Sequence, residues 1–486
     1  MDKYYKRMGT IADKLIHLGQ TKTEIRDAII SKGVAVSEET TFRDYAGKIR
    51  EITTDGGETD PPDWVRPKDW LPIEHRVVEG EQKFVGLHAI VEDSNFIALS
   101  ATADYTVDWG DGNIENFTSG ALASHMYAFD SFKGTDTSGG FRQAIVTVMP
   151  QSGQALTSIN LQRRHRQPSL TYYSTGWLDI RMSGENMTSL TIGGSTLNHG
   201  YLEAFCFIGR NAITSFRRCF SACNLLQSVA ITDTSSATDF GYMFASCSTL
   251  EKVPLFDTSK GMDFGYMFQS CISLKKVPLL DTSNGISFSS MFASSTALKT
   301  VPLLNTAKGR SFNGMFLGCT ALQTVPLLDT VSGTEFTSMF LECKALKTIP
   351  LLNTENGIEF IGMFSSCTLL RTIPLLDTRK GVEFRAMFHS CSVLETVPLF
   401  NTSEGVGFSD MFANCGSLRK AAFFGTKNKI DYSSCKFSQP ALVEIFKNLA
   451  SGVVSKTITI TNNWGSQLLT VDERAIATNK GWTIVG

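Results

Sequence analysis

No run in this 486-residue chain reaches the roughly 18 consecutive apolar residues that a membrane-crossing helix needs, so no span is expected. The opening Met1-Asp2-Lys3-Tyr4-Tyr5-Lys6 leads into a mixed helical pattern instead of an apolar core, which predicts no secretory signal. Neither charge sign dominates, and a net charge of −2 gives nucleic acid no bulk attraction. The basic cluster Arg163-Arg164-His165-Arg166 has no aromatic neighbours arranged for stacking on bases and reads as a solvated loop. Gly-x-Ser-x-Gly, the Walker loop, His-Glu-x-x-His and a paired-carboxylate constellation are all missing. The Gly-rich Ile192-Gly193-Gly194-Ser195 lacks the strand-loop-helix setting of a phosphate cradle. Cys-x-x-Cys does not occur and the seven His are scattered. The expectation is a chain with no enzymatic activity, no cofactor and no metal.

What the chain has is repetition. Phe220, Phe244, Phe268, Phe292, Phe316, Phe340, Phe364, Phe388 and Phe412 recur at a spacing of 24 without insertion, each with a second Phe four residues earlier, from Phe216 to Phe408. Met precedes the main Phe from Met243 onward, and Cys follows it by three from Cys223 to Cys415, with Ser295 the exception. Leu comes three further on, and then a Val/Ile-Pro-Leu-Leu/Phe run backed by Asp/Asn-Thr. A fixed period of this length marks a solenoid. One copy buries about six apolar side chains at roughly 2 kcal/mol each, too little against the ordering entropy of its backbone, so only stacking makes the array stable.

The Met-Phe-x-x-Cys-x-x-Leu spacing predicts one or two helical turns, in part 3₁₀. The Val-Pro-Leu-Leu run predicts a short strand, so that the nine coils stack a parallel sheet about 43 Å long. The Pro column (Pro254 to Pro398) lacks the N–H of a regular ladder and is expected at the first residue of each strand. Asp233, Asp257, Asp281, Asn305, Asp329, Asn353, Asp377 and Asn401 sit where the chain turns and are expected to bond nearby backbone N–H groups; a calcium column is the alternative. Eight of the eleven Cys lie on the inward column in runs of three and five, and read as small buried hydrophobes kept reduced.

In chain order, residues 1–52 read as a helical module with Ile11, Leu15, Ile16 and Leu18 on one stripe. Its Thr23-Glu24-Ile25-Arg26-Asp27-Ala28-Ile29-Ile30-Ser31-Lys32-Gly33-Val34 and Thr41-Phe42-Arg43-Asp44-Tyr45-Ala46-Gly47-Lys48-Ile49 resemble a segment near the start of bacteriophage tail proteins. That resemblance implies a virion-attachment module contacting other tail or baseplate proteins. Residues 53–72 form a Pro/Gly linker, with Trp64 and Trp70 expected to pack on a neighbour. Residues 73–152 alternate as an antiparallel β-sandwich. Within it, Asp108-Trp109-Gly110-Asp111-Gly112 and Ser124-His125-Met126-Tyr127 resemble the polycystic-kidney-disease (PKD) domain. The resemblance implies an immunoglobulin-like spacer, with calcium at Asp108, Asp111 and Asn113 as a minor alternative. Residues 153–215 read as degenerate first coils that cap the open end of the solenoid. Residues 216–435, with Phe244, Phe268, Phe292, Phe316, Phe340, Phe364, Phe388 and Phe412 as their core, resemble the BspA-like leucine-rich repeats of bacterial surface proteins. That resemblance implies a solenoid used for adhesion. Residues 436–486 read as an α/β cap, with Ser438 capping a helix; the Thr-Ile-Thr-Ile strand and terminal Lys-Gly-Trp-Thr look like phage tail-fibre endings.

The fold class is thus multidomain and mainly β, with short helices: helical module, Ig/PKD-like sandwich, leucine-rich-repeat solenoid and α/β cap. A recognition surface is sought where copies differ. Lys252, Lys275, Lys276, Lys299, Thr300, Thr324, Lys347, Thr348, Arg371, Thr372, Thr396, Arg419 and Lys420 precede the strands and are expected to form a cation and Thr stripe suited to a surface glycan or protein. An ordinary solvated face is the bland alternative, and the turns at Ser259-Lys260-Gly261 and Arg379-Lys380-Gly381 are a second candidate. The function read from these features is a phage tail fibre or tail-associated adhesin on the virion, assembled in the host cytoplasm. Alternatives are a bacterial cell-surface adhesin, a head fibre or a decoration protein. The fibre reading implies a homo-oligomer, by analogy with fibres a trimer.

Overall fold

The computed structural model describes residues 61, 63–92, 95–166, 175–194 and 199–486. The helical module at 1–52 and the first part of the linker lie outside the described residues. Pro61–Gly486 forms one compact unit. Among the described residues it is mainly β, with two α-helices, α1 (Gln439–Asn448) and α2 (Val471–Thr478).

The unit begins with antiparallel strands: β1 (Lys83–Ile90), β2 (Phe96–Thr102), β3 (Tyr105–Asp108), β4 (Ile114–Phe117), β5 (Ala123–Met126) and β6 (Arg142–Pro150). They lie in two sheets, and Phe84, Val146 and Val148 of one share an apolar core with Ile97 and Leu99 of the other. Next come β7 (Ser158–Asn160), β8 (Trp177–Ser183), β9 (Ser189–Thr191), β10 (Ala204–Phe207) and β11 (Ser228–Ile231). The first sheet runs β4-β3-β6-β1-β8-β10-β11 and the second β5-β2-β7-β9. Pairing is antiparallel as far as β1–β8 and β2–β7, then parallel from β8–β10 and β7–β9 onward. The coils at 153–215 therefore do not close an open end. They carry both sheets of the antiparallel part into the array, so its first edges are already hydrogen-bonded, which is one way to remove an edge-strand hazard.

The linker expectation also changes. Residues 63–81 are a strap against the outer face of the first sheet: Trp70, Ile73 and Val77 are buried with Val85, Leu87, Ala89 and Leu178. That is why β1 is buried on both faces. Trp64 packs on Trp70 at 6.1 Å and donates to Glu203, as a residue packing on neighbours would. Arg66 holds the strap down. Its Nε lies 2.9 Å from the buried carboxylate of Asp179 on β8, and its Nη atoms donate to the carbonyls of Trp70 and Leu71. Burial still pushes the Asp179 carboxyl above its ordinary range, against the pull of Arg66. Close by, His88 sits edge-on to Trp177 at 5.1 Å, and burial pushes the imidazoles of His88 and His199 down to about 3 and about 4.

At the far end, β12 (Thr396–Asn401) and β13 (Lys420–Phe424) pair in parallel, and β14 (Ile430–Asp431), β15 (Lys456–Thr459) and β16 (Trp482–Val485) make a small parallel sheet against α1 and α2. Tyr432 stacks on Phe412 at 5.2 Å and so closes the aromatic column of the coils. Ser438 stands at the N-cap position of α1, but its side chain makes no cap bond. The capping box is at α2, where Thr470 and Glu473 bond each other's backbone N–H; its Thr-x-x-Glu spacing was readable in the sequence.

Arg66→Ala takes the nearer of two guanidinium groups from the buried Asp179 carboxylate, leaving Arg181 at 3.9 Å, and is expected to cost about 1.5–3 kcal/mol, read from urea denaturation. An unchanged midpoint would show that the strap does not stabilise the sheet. The unfolded chain protonates His88 and His199 as pH falls below about 6.5, whereas the native rings resist until near 4 or below. Stability should therefore fall as pH drops through this window, by about 1.4 kcal/mol per pH unit for each ring. A His88→Gln/His199→Gln variant should show a shallower fall in melting temperature between those pH values.

Candidate functional site

Each coil opens on consecutive tight turns, not on the expected helix. In Phe240–Cys247, the N–H groups of Met243, Ala245 and Cys247 donate to carbonyls three residues back. Those of Phe240, Tyr242, Phe244 and Ser246 donate instead to Asp263, Gly265, Met267 and Gln269 in the next coil. A helix would consume every N–H internally and leave the neighbouring coil nothing to accept. The alternation requires two left-handed residues per coil, here Tyr242 and Ser246 at φ 58° and 64°. The signal was present: the same two positions carry Gly314, Gly318, Gly362 and Asn414 in other coils, residue types that tolerate this conformation.

Inside the coils the side chains form unbroken columns. Phe244 and Phe268 stack at 5.8 Å with planes 3° apart, and the second Phe column behaves likewise, as at Phe264–Phe288 with 5.9 Å and 7°. Such offset pairs add about 0.5–1.5 kcal/mol each beyond burial. The Cys column is more than apolar filling. Each thiol from Cys247 donates to the carbonyl of the main Phe in the preceding coil, as Cys343 does to Phe316 at 3.1 Å. Ser295 makes the same bond to Phe268 at 2.7 Å, which explains the exception. All eleven Cys are free thiols, and burial raises Cys319 and Cys367 to about 12. The Asx column makes the expected turns, with Asp257 Oδ1 accepting from Ser259 N at 3.0 Å, and the buried Thr behind it donates onward, Thr258 to the Asp281 carbonyl at 2.8 Å. Gly261 is required by crowding: a Cβ there would lie 2.5 Å from the Phe264 ring.

On the outer side, the parallel sheet predicted for Val-Pro-Leu-Leu is limited to the ends of the array. Between residues 252 and 395 the run is irregular, with single bridges such as Lys252–Lys276, because Pro supplies no N–H and breaks the ladder. The Lys/Thr stripe lies on this side. Lys275, Lys276, Lys299, Thr300, Thr324, Lys347, Thr348, Arg371, Thr372, Arg419 and Lys420 are exposed, and Lys252 and Thr396 are half-buried. It is not a bare row of cations. Glu251 pairs with Lys275 at 2.9 Å, Glu395 pairs with both Arg371 and Arg419, and Lys252 is tied to Asp63 of the strap at 2.6 Å. Pro also does something the sequence reading missed: it turns the following Leu outward, leaving exposed leucines from Leu255 to Leu399 at every coil.

In the antiparallel part, Gly110 and Gly112 take φ 82° and 92° at the Asp108–Gly112 turn. Asp108 accepts from Gly110 N, while Asp111 accepts from Asn113 N and lies 2.7 Å from His125 Nε2. Burial pushing the Asp111 carboxyl up is outweighed by these donors, which hold it below its ordinary range. Trp109 stacks on His125 at 5.0 Å, and Tyr127 Oη donates to the Trp109 carbonyl at 2.8 Å. The two motifs thus form one hydrogen-bonded corner whose carboxylates already serve the turn. Among the described residues, no three or more His, Cys, Asp or Glu are grouped to hold a metal ion.

Residues 214–327 and 310–423 match a family model described as Mycoplasma protein of unknown function, DUF285, on the coils whose core resembles BspA-like repeats. No curated protein matches the chain. Among solved structures it is similar to one titled crystal structure of TLR13-ssRNA13 complex, at 12% identity and a TM-score of 0.23, covering 63% of this chain and 54% of that one. It is also similar to a plant peptide hormone receptor, RGFR1 in complex with RGF2, at 12% identity and a TM-score of 0.21, covering 63% and 61%. The chain spans less than two thirds of the length of either.

Cys343→Ser should keep the bond to Phe316 and stay near wild-type stability, whereas Cys343→Ala removes one of the two donors to that carbonyl, leaving the Cys319 N–H, and should cost about 0.5–1.5 kcal/mol in chemical denaturation. A purely apolar role for the column would reverse this order.

Proposed function

We propose that the chain is a non-enzymatic adhesin of a bacteriophage virion, a tail fibre or tail-associated protein whose coil array meets the host surface. The observation that carries the adhesive reading is the contrast within each coil. Buried positions repeat from copy to copy, while the exposed ones before the strand and after the Asx turn change. A rod whose core is constant can vary its surface at no cost to its fold. The virion assignment rests on the resemblance of residues 23–49 and of the C-terminal strand to phage tail proteins, with the antiparallel part as a PKD-like spacer. A cell-surface adhesin of a bacterium is the second reading, favoured by the Mycoplasma family that the coils match.

Immunogold labelling with antibody against the full chain distinguishes these readings: gold on particle tails supports the virion role, and gold confined to the bacterial envelope overturns it. Binding of the purified chain to host cells then tests adhesion. Lys275→Glu/Lys276→Glu/Lys299→Glu/Lys347→Glu should lower cell binding by about tenfold or more and remove its salt dependence if the stripe meets the receptor. Charge reversal at Lys260, Lys308, Arg379 and Lys380 should do so if the turns meet it. Absence of binding by the wild-type chain would sink the adhesin reading.

A further inference from the structure

The outward leucines form a ladder. From Leu255 to Leu399, one Leu per coil is exposed by between 42 and 68%, with no polar residue substituted in any of the seven coils. In the coil before, Val229, Ile231 and Thr234 point inward; where Pro enters, the inward set becomes Val253, Phe256 and Thr258, and Leu255 is turned out. Nothing in the coil's own packing requires an apolar side chain there. At about 4.8 Å per coil the ladder is roughly 29 Å long, and about 17 Å separate the Lys/Thr column on one flank from the Asx column on the other. That footprint of about 500 Å² per chain lies within the range where apolar patches mark interaction sites. Two such faces together bury about 1,000 Å², the lower bound of a specific interface.

The flanks differ in sign. Lys252, Lys275, Lys276, Lys299, Lys347 and Arg371 lie on the Lys/Thr side, with Glu251 and Glu395 among them, whereas Asp257, Asp281, Asp329 and Asp377 line the other side, Asp377 already paired with Arg379 and Lys260, Lys308 and Lys380 lying three residues beyond the column. Two copies can face each other by a twofold axis along the rod or one across it. Across the rod, the copies run oppositely and cation column meets cation column. Along the rod, they run in the same direction, and each cation column meets the partner's Asp column.

We infer that the leucine ladder is the contact face of a parallel pair of these chains, with the twofold axis along the array. Like coils lie opposite like coils, the leucines meet at the axis, and the Lys/Thr column forms the seam with the Asx column of the second copy. The inference holds whether a virion or a cell carries the rod, and it leaves the turns after the Asx column, not the Lys/Thr stripe, to meet a receptor.

The test uses the full chain. Light scattering after size exclusion should give the mass of two chains, and Leu303→Asp/Leu327→Asp/Leu351→Asp should weaken association roughly 100-fold or more while leaving the melting transition of the single chain in place. Leu255→Cys should form a covalent dimer under mild oxidation that wild type, whose thiols are buried apart from the half-buried Cys206 away from the ladder on β10, does not. In an opposed pair Leu255 would meet Leu399, so only a Leu255→Cys/Leu399→Cys variant would cross-link. A monomeric wild-type chain, an unchanged mass for the Asp variant, or cross-linking confined to the double-Cys variant would each overturn the proposal.

Discussion

The structure depends on a division of backbone donors. Within each Phe-turn segment alternate N–H groups bond back inside the coil, and the others bond forward to the next coil. Stacked Phe rings at about 5.7 Å, thiol-to-carbonyl bonds and Thr-to-carbonyl bonds all share the register this sets. Because the same bonds recur in each coil, a coil is incomplete without its neighbours, as the energetics of a short repeat demand. Left-handed residues are the structural cost of the arrangement, and Ser, Gly, Asn and Asp occupy most of those positions.

An array built this way has two ends to resolve, and the chain resolves them differently. At the start, the two antiparallel sheets turn parallel beyond β7 and β8 and end at β9 and β11, from which backbone hydrogen bonds and single bridges carry on into the coils. The strap secures this junction from outside, through Arg66 on the buried Asp179 and Trp70 under the sheet. At the finish, a Tyr replaces the next Phe, and a small α/β piece covers the last coil. The rod is therefore continuous with what precedes it, so a load applied to the coils passes through hydrogen-bonded strands, not a flexible hinge.

Surface and core obey separate rules along this rod. Inward positions are held to Phe, Met, Cys or Ser, Leu and Thr by contact with the same residues above and below. Outward positions are free of that constraint, which makes a repeated outward residue informative. The Lys/Thr column varies and is partly neutralised by Glu251 and Glu395, whereas the leucine beside it does not vary. Sequence reading singled out the first column and passed over the second, because a Leu between Pro and Leu looks like core until the backbone shows which way it faces.

The period, the inward Phe, Cys and Leu columns, the Asx turns and the terminal strands and helices were legible in the residues alone, because each rests on local chemistry repeated in register. The helix expected at Met-Phe-x-x-Cys-x-x-Leu was not observed, since that spacing suits any close turn and only the presence of a neighbouring coil decides where the N–H groups go. The sheet expected at Val-Pro-Leu-Leu failed in the middle coils for the lack of the proline donor. The strap looked like a linker because its prolines are visible in sequence, whereas the partners that fix its polar ends, Asp179 and Glu203, lie more than a hundred residues away. The amino-acid sequence by itself determined that coils must stack. Tertiary contact alone decided how they bond, where the sheets join and which leucines face out, because each of those outcomes depends on groups that meet only when distant segments are brought together.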